Sequence, residues 1–282
     1  MKEDIRIAAV TMQRGDEFFL AKWVEYYGSQ LGKENLYIFF DGMDQTIPSF
    51  CDGTNASLNP RIKAKIANSD KQRIAFLSRQ ASRLLKEEGY NYVIGADADE
   101  FLVVDPKLGL SLKEYIARSN VRTTLSGLGL DFGQKLGEEG DITSDVPFLQ
   151  QRHYAQLCTR YTKASVIAKP LRWGSGFHRV KGHNFHIGKD LYLLHFGYSD
   201  LKRIQDRMAD TCRLDQGWEK HMKRRSRTIS YVTHLKARDF DRWTAIARRC
   251  QSLVRPPYAL NKPAMFEARI VVKVPERFHS VV

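Results

Sequence analysis

The sequence has few cysteines and no long apolar run. Its cysteines are Cys51, Cys158, Cys212 and Cys250. Because they are far apart and form no Cys-x-x-Cys pair, they argue against a structural zinc site and for unpaired thiols in a reducing cytoplasm. No stretch approaches the roughly 20 apolar residues that span a bilayer. The polar residues 1–6 show no signal-peptide pattern, so we expect a cytoplasmic protein.

The usual glycine-rich and nucleic-acid-binding signatures are also missing. The stretch Gly127–Gly133 matches neither a dinucleotide-binding nor a P-loop pattern, and we interpret it as the end of a strand followed by a turn. No zinc-finger, homeodomain or RNP-type motif occurs, and the basic run near the C-terminus lacks interleaved aromatic residues. We therefore expect no nucleic-acid partner.

The chain is strongly basic, with 45 Lys and Arg residues against 32 Asp and Glu residues and a net charge of +13. The excess is concentrated after residue 200, in a basic cluster that we define as Lys220, Lys223, Arg224, Arg225 and Arg227. A run of this kind is often a solvated face. It also fits contact with an anionic membrane surface or an acidic substrate.

The most informative segment is Tyr90–Leu102, in which an apolar run ends at Asp97, Asp99 and Glu100. In an extended backbone, Asp97 and Asp99 would point the same way. Like charges this close repel each other unless a cation lies near them. Carboxylate oxygens suit Mg²⁺ or Mn²⁺. The segment therefore predicts a metal site, and the alternative is a solvated turn after a strand.

The first hundred residues predict an α/β fold with a mostly parallel sheet. Continuous apolar strands are expected at Ile5–Thr11 and Leu36–Phe40, and helical spacing follows Asp16 as far as about Gly32. A loop over residues 44–66 and a helix over residues 69–88 lead to the strand before the acids. Alternation of strands and helices is typical of a Rossmann-type sheet flanked by helices.

The later sequence predicts a second, more basic part. Short strands and several histidines occupy residues 160–198, and the pattern beyond Ser199 turns helical. We predict a catalytic domain over residues 1–200, with its acceptor side from about residue 125. A basic, mainly helical extension would follow over residues 201–282.

Five features resemble those of bacterial family-2-like glycosyltransferases. They are the first strand, the helix Asp16–Tyr27, FFD at residues 39–41, DADEF at residues 97–101 and LLHFGYS at residues 193–199. The likeness covers roughly residues 5–207, and it departs from the family at Lys22, where an acid is common. The resemblance implies a GT-A fold, a nucleoside-diphosphate sugar donor, and Mn²⁺ or Mg²⁺ bound at the DxD motif.

The resemblance also implies roles for individual residues. Asp99 would be the direct metal ligand, Asp97 would lie near the ribose or the metal, and His195 would complete the metal shell. The residues placed against the nucleotide are Thr11, Arg14, Asp41, Arg73, Arg79 and Asp97. The alternatives are ordinary surface arginines for Arg73 and Arg79, and a core or surface histidine for His195.

An inverting transfer needs a general base that takes the proton of the acceptor hydroxyl. Asp131, expected in a Leu-Asp-Phe-Gly turn after an apolar strand, is the first candidate, and Glu138 is the second. Glu139 and Asp141 compete with them, and any of these acids is also compatible with a solvated loop.

The expected function is metal-dependent transfer of a sugar from a nucleoside-diphosphate sugar to a glycan or lipid-linked acceptor, in bacterial surface polysaccharide assembly. The basic cluster would give peripheral contact with the inner membrane face. One alternative is a metal-dependent nucleotidyltransferase, although no activating phosphate-binding motif is found. The other is a non-catalytic basic binding protein, which leaves the carboxylates at strand ends unexplained.

Overall fold

The computed structural model describes residues 5–64, 66–209, 227–265 and 268–282. Within them the strands are β1 (Ile7–Gln13), β2 (Leu36–Asp41), β3 (Asn55–Asn59), β4 (Tyr92–Gly95), β5 (Glu100–Val104), β6 (Thr124–Phe132), β7 (Tyr154–Leu157), β8 (Val166–Ile167), β9 (Ile187–His195) and β10 (Val271–Lys273). The α-helices are α1 (Glu17–Leu31), α2 (Ile66–Lys86), α3 (Leu112–Arg118), α4 (Phe148–Gln151), α5 (Leu201–Ala209), α6 (Arg227–His234) and α7 (Phe240–Leu253).

All ten strands belong to one sheet, in which β3, β2, β1 and β4 pair in parallel. Next to β4 the sheet continues through β8 to β6, with antiparallel pairing. The C-terminal half of β6 pairs with β7 on one side, and β9 runs parallel to β6 on the other and carries β5. The predicted fold class is confirmed at the level of an α/β protein: a Rossmann-type sheet, parallel over β3, β2, β1 and β4, is flanked by helices.

Strand β1 is buried on both faces, which explains its continuous apolar pattern. Ile7 and Ala9 share one core with Trp23 of α1. The alternate residues, such as Ala8, share the other core with Leu77 of α2. Because the helices cover opposite faces of the sheet, the carboxyl ends of the parallel strands are left at its edge, where ligands bind in such folds.

The predicted first helix is confirmed at Glu17–Leu31, and it ends before Gly32, which has a φ of 89°. Asp16 occupies the N-cap position, but its side chain makes no capping hydrogen bond. It accepts one instead from Arg207 Nη2 at 2.7 Å. Asp16 is therefore at the predicted N-cap position, but its side chain does not form the hydrogen bond to the helix that a capping residue makes.

Three local expectations are wrong. The predicted loop over residues 44–66 contains β3, a short edge strand that pairs with β2 and whose apolar residues Ala56 and Leu58 alternate with polar ones and pack against the core. Asp131 lies inside β6 and not in a turn. The backbone from Asp97 to Asp99 is not extended but forms a tight turn, in which Glu100 N donates a hydrogen bond to Asp97 O at 3.0 Å. Strand β5 begins directly after this turn, at Glu100.

The C-terminal part joins the same sheet and core in the described residues. Strand β10 pairs with β7, and Phe278 and Val282 belong to the core that contains Trp23. The predicted division at residue 200 stays a prediction. Of the basic cluster, Lys220, Lys223, Arg224 and Arg225 lie outside the described residues, and Arg227 begins α6. Among the helices described, none is long and apolar enough to cross a membrane.

A hairpin over residues 172–181 packs against β4 just before the turn over residues 97–100, which we call the acid turn. Gly95 ends β4, and a Cβ there would lie 2.9 Å from Phe177 Cδ1 and 3.0 Å from Trp173 Cη2. Trp173 is fixed from two sides, since its backbone N–H donates to Ser78 Oγ and its indole N–H to Ala164 O. The missing side chain at Gly95 therefore lets two aromatic rings lie directly on the strand.

We expect Gly95→Ala to destabilise the protein by about 1–3 kcal/mol, because the methyl group overpacks a buried contact with rings that cannot retreat. Urea denaturation measures this change. Gly140→Ala is the control, since a Cβ there meets nothing within 4 Å, and it should stay within about 0.5 kcal/mol of wild type. Equal stability of the two variants would contradict this packing account.

Candidate functional site

The acid turn between β4 and β5 sends its two aspartates to different partners. Asp97 Oδ1 accepts a hydrogen bond from Arg73 Nη1 at 2.6 Å, and its Oδ2 lies 3.3 Å from Lys163 Nζ. Arg73 also binds Asp70 at 2.9 Å. Both oxygens of Asp97 are therefore balanced by cations of the chain itself, so repulsion at this carboxylate does not require a metal.

Asp99 faces a different group, the imidazole of His195. Asp99 Oδ2 lies 3.5 Å from His195 Nε2. One oxygen of Glu100 joins them, and the ligand atoms of these three residues lie within 4.8 Å of one another. A Cβ at Gly197 would overlap Asp99 Oδ2 and lie 2.9 Å from His195 Nε2. Gly197 thus keeps space open between a carboxylate and an imidazole nitrogen, a donor set that could hold a divalent metal.

The register of the sheet places His195 in a buried polar row that crosses four strands. His195 of β9 is paired with Glu100 of β5 and with Asp131 of β6, and Asp131 is paired with Gln156 of β7. All four residues are at most 4% exposed. Because directly paired residues share one face of a sheet, their side chains meet.

Asp131 holds the imidazole of His195 in place. Its Oδ1 lies 2.7 Å from His195 Nδ1, and its Oδ2 accepts a hydrogen bond from Thr228 Oγ1 at 2.6 Å. The ring of Tyr161 stacks on the imidazole with centroids 3.8 Å apart. A carboxylate bound to Nδ1 leaves Nε2 for another ligand, which is the arrangement found around metal-binding histidines.

These contacts change the protonation of the site in the absence of a metal. Burial lowers the pKa of His195, but the charge of Asp99 and the hydrogen bond to Asp131 outweigh it and raise the pKa to about 9. Burial raises the pKa of Asp99, yet the charge of His195 holds it below the usual value. The pair is therefore an imidazolium facing a carboxylate.

Lys163 is a buried cation, only 3% exposed, that links Asp97 with Glu100. Burial lowers its pKa, but the charges of Glu100 and Asp97 outweigh burial and raise it. Burial raises the pKa of Glu100 to about 6, although the charge of Lys163 opposes the shift. Although burial opposes it, the charges of Arg73 and Lys163 hold the pKa of Asp97 well below its usual range.

The structure brings together Arg73, Asp97, Asp99, Asp131 and His195 among the residues that the sequence nominated. Their chemical roles stay predictions. Arg73 is shown to contact the acid turn directly.

The other nominated residues make no contact with this group among the described interactions. Thr11 is buried in β1, and its hydroxyl has no partner in the described part of the chain. Arg14 pairs with Asp44 at 2.6 Å, and Asp41 Oδ1 accepts from Ile62 N at 2.7 Å. Roles for these three at the nucleotide stay predictions.

Arg79 and Glu138 are both exposed. Arg79 lies six residues beyond Arg73 on α2, so it projects from a different face of the helix. Glu138 forms an ion pair with Lys135 at 2.8 Å and accepts from Tyr154 at 3.2 Å. Neither residue contacts the acid turn among the described interactions, and the role of each stays a prediction.

Sequence reasoning missed three residues of the site: Lys163, Gly197 and Thr228. Of these three, only Lys163 gave a local signal in the sequence, because it is the single charged residue in the otherwise uncharged segment 161–167. Gly197 belongs to the LLHFGYS motif, but nothing in the motif shows that its missing side chain matters. Thr228 reaches Asp131 from 97 residues away.

Comparison with known proteins gives weak likenesses. No protein-family model matches the chain, and no curated protein matches it. Among solved structures, TarS 1–349 from S. aureus is similar with 9% identity and a TM-score of 0.33, over 81% of this chain and 71% of that one. A mannose-1-phosphate geranyltransferase from Thermus thermophilus is similar with 9% identity and a TM-score of 0.30, over 96% and 74%. Scores this low support no argument about chemistry.

We expect Lys163→Met to destabilise the protein by about 3–5 kcal/mol, because it leaves buried Glu100 without its cation. Adding Glu100→Gln should restore part of the loss, since it removes the uncompensated charge. Urea denaturation of both variants is the measurement, with Lys86→Met on the surface as control. If the double variant is no more stable than the single one, Lys163 does not serve to balance Glu100.

Proposed function

We propose that this protein is a metal-dependent glycosyltransferase that moves a sugar from a nucleoside-diphosphate sugar to a glycan or lipid-linked acceptor. The observation that carries the proposal is the approach of Asp99 to His195 Nε2, with Nδ1 of the same ring bound to Asp131. This pair lies just beyond the carboxyl end of β4, where α/β sheets of this type bind their ligands. The acceptor class follows from the sequence resemblance alone.

The donor set fits Mn²⁺ better than Mg²⁺. Asp99 offers a carboxylate oxygen, His195 offers an imidazole nitrogen, and Glu100 lies within reach. Mg²⁺ prefers oxygen ligands, whereas Mn²⁺ also accepts imidazole. When bound there, the ion would neutralise charge that develops on the diphosphate leaving group.

Asp97 and Arg73 would contact other parts of the donor. Asp97 is already balanced by Arg73 and Lys163, so we place it beside the ribose and leave metal binding to Asp99 and His195. Arg73 is partly exposed at the acid turn, where its guanidinium would meet the phosphates of the donor.

Asp131 has a positioning role in this proposal. With one oxygen at His195 Nδ1 and the other accepting from Thr228, it fixes the ring so that Nε2 points to Asp99. Its assignment as general base, and that of Glu138, stay predictions. An Asp131 that takes a proton from the acceptor would first have to release one of these two partners.

A thermal-shift screen of nucleoside diphosphates, with and without Mn²⁺, tests the proposal. Stabilisation that requires both nucleotide and metal is expected, because Asp99 and His195 would hold the ion and the ion would neutralise the charge of the diphosphate. Products of the best nucleotide sugar are then identified by mass spectrometry. Release of the nucleoside diphosphate supports sugar transfer, whereas transfer of the nucleotide itself to a sugar phosphate would overturn it.

We expect Asp99→Ala to abolish the metal-dependent stabilisation while leaving the fold intact, because it removes the direct ligand. Gly197→Ala should do the same without removing any charged group, since its methyl would occupy the space beside Asp99 Oδ2. The thermal-shift assay measures both, with Asp52→Ala on an exposed turn as the control. A Gly197→Ala variant that still binds Mn²⁺ and nucleotide normally would contradict this site.

Mn²⁺ affinity should increase with pH. A metal binds only neutral imidazole, and the pKa of His195 is raised to about 9, so binding below that pH must displace a proton. Between about pH 6 and 8 the affinity should rise by up to about tenfold per pH unit. Asp131→Asn removes a charge that raises this pKa. In that variant the Mn²⁺ affinity should therefore increase less steeply with pH.

Calorimetric titration with Mn²⁺ at several pH values measures these slopes. The Asp52→Ala control should keep the wild-type slope. A flat profile for the wild-type protein would show that the ion does not displace the proton of His195.

A further inference from the structure

A basic cavity of about 320 Å³ lies beside the acid turn. Its walls come from α2, the hairpin over residues 172–181, and the segment that follows α7. Its cationic lining residues are Lys71, Arg172, Arg179, Lys181 and Lys262. No carboxylate lines it among the described residues.

The hairpin holds three of these cations in fixed places. Trp173 and Val180 form a β-bridge, and Lys181 N donates to Arg172 O at 3.2 Å, which places Arg172 and Lys181 side by side. A Cβ at Gly174 would lie 3.0 Å from Cγ of Arg179. The absence of that side chain lets the aliphatic part of Arg179 lie against the hairpin.

The third wall is tied to the hairpin by Asn261, whose side-chain amide donates to Val180 O at 2.8 Å. Next to it, the ammonium group of Lys262 lies 5.0 Å from the ring centroid of Tyr258, which is 69% exposed. The cavity is therefore assembled from parts of the chain about 80 residues apart.

The cavity cations have no acidic partner within the described part of the chain, unlike the cations that are balanced elsewhere in the fold. Arg14, Arg73, Lys107 and Arg277 each form ion pairs with aspartates. None of the five cavity cations forms an ion pair with a carboxylate among the described residues. Like charges brought together in a concave site repel one another, and they concentrate anions there.

The cavity adjoins the proposed active site through α2 and Phe177. Lys71 faces the cavity, while Arg73, two residues later, contacts Asp97. The guanidinium of Arg73 lies 5.7 Å from the ring centroid of Phe177, which ends the short 3₁₀ turn of the hairpin. Phe177 has a φ of 59°, a conformation that a bulky residue keeps only when its surroundings impose it.

We propose that this cavity binds the phosphate groups of a ligand. Several cations without acidic neighbours match a group that carries more than one negative charge, and the volume suits a diphosphate or a sugar phosphate. The same chemistry is present in the diphosphate of the donor and in a phosphorylated acceptor. Assigning it to either substrate rests on the proposed function, whereas binding of phosphate groups does not.

The test is calorimetric titration with inorganic pyrophosphate in the presence of EDTA, which removes any metal. Wild type is compared with Arg172→Gln/Arg179→Gln/Lys181→Gln. The matched control, Lys86→Gln/Arg118→Gln/Lys189→Gln, loses the same charge at exposed sites outside the cavity lining. We expect pyrophosphate affinity to fall at least tenfold in the cavity variant and less than twofold in the control.

Equal losses in the two variants would show attraction by net charge alone and would overturn the proposal, as would undetectable binding to wild type. A second arm measures binding of the nucleoside diphosphate with Mn²⁺ to the cavity variant. A matching loss there assigns the cavity to the donor, and unchanged affinity assigns it to a second, phosphorylated ligand. Because the first arm needs neither metal nor turnover, its result does not depend on whether the protein transfers sugars.

Discussion

The register between β5, β9 and β6 is the constraint on which the site depends. It pairs His195 with Glu100 on one side and with Asp131 on the other, so the histidine stands between two buried acids in one row across the sheet. A shift by one residue would turn these side chains to the opposite face of the sheet. The hydrogen bond to Asp131 then fixes the ring, and Nε2 is left facing Asp99. The glycine at position 197 keeps the space in front of that nitrogen open.

The charges around the acid turn follow from this arrangement. Four carboxylates lie close together, at Asp97, Asp99, Glu100 and Asp131. Arg73 and Lys163 balance Asp97, Lys163 also balances Glu100, and His195 is shared by Asp99 and Asp131. In the proposed function a metal ion would replace the proton on His195 and would then balance Asp99. The two neighbouring aspartates of one motif therefore have different partners: Asp97 faces two cations of the fold, and Asp99 faces His195.

Local sequence patterns were sufficient to predict the parallel half of the sheet. The apolar runs of β1 and β2 and the spacing of Phe19, Trp23 and Tyr27 in α1 are set within a few residues, and the fold class followed from them. The position of the acids after β4 and of His195 at the end of β9 was also predictable, because a polar residue that ends an apolar strand is visible in one window. The backbone of the acid turn was not, since β5 depends on pairing with β9.

Contacts that span long stretches of chain gave no local signal. Lys163 meets Glu100 across 63 residues, and Thr228 meets Asp131 across 97. Asp131 looked like a loop acid because its neighbours Gly129 and Gly133 suggested a turn. In the structure a Cβ at Gly129 would lie 2.5 Å from Thr162 N, so this glycine permits close packing of two segments within a strand. The basic cavity likewise arises only when the hairpin meets a segment about 80 residues later.

Anomalous diffraction at the manganese edge, from crystals soaked with Mn²⁺ and a nucleoside diphosphate, would locate the metal ion. We expect a peak within about 2.5 Å of both His195 Nε2 and an oxygen of Asp99, with His195 Nδ1 still bound to Asp131. A peak on Asp97 with Arg73 displaced, or the absence of any peak near His195, would contradict this expectation.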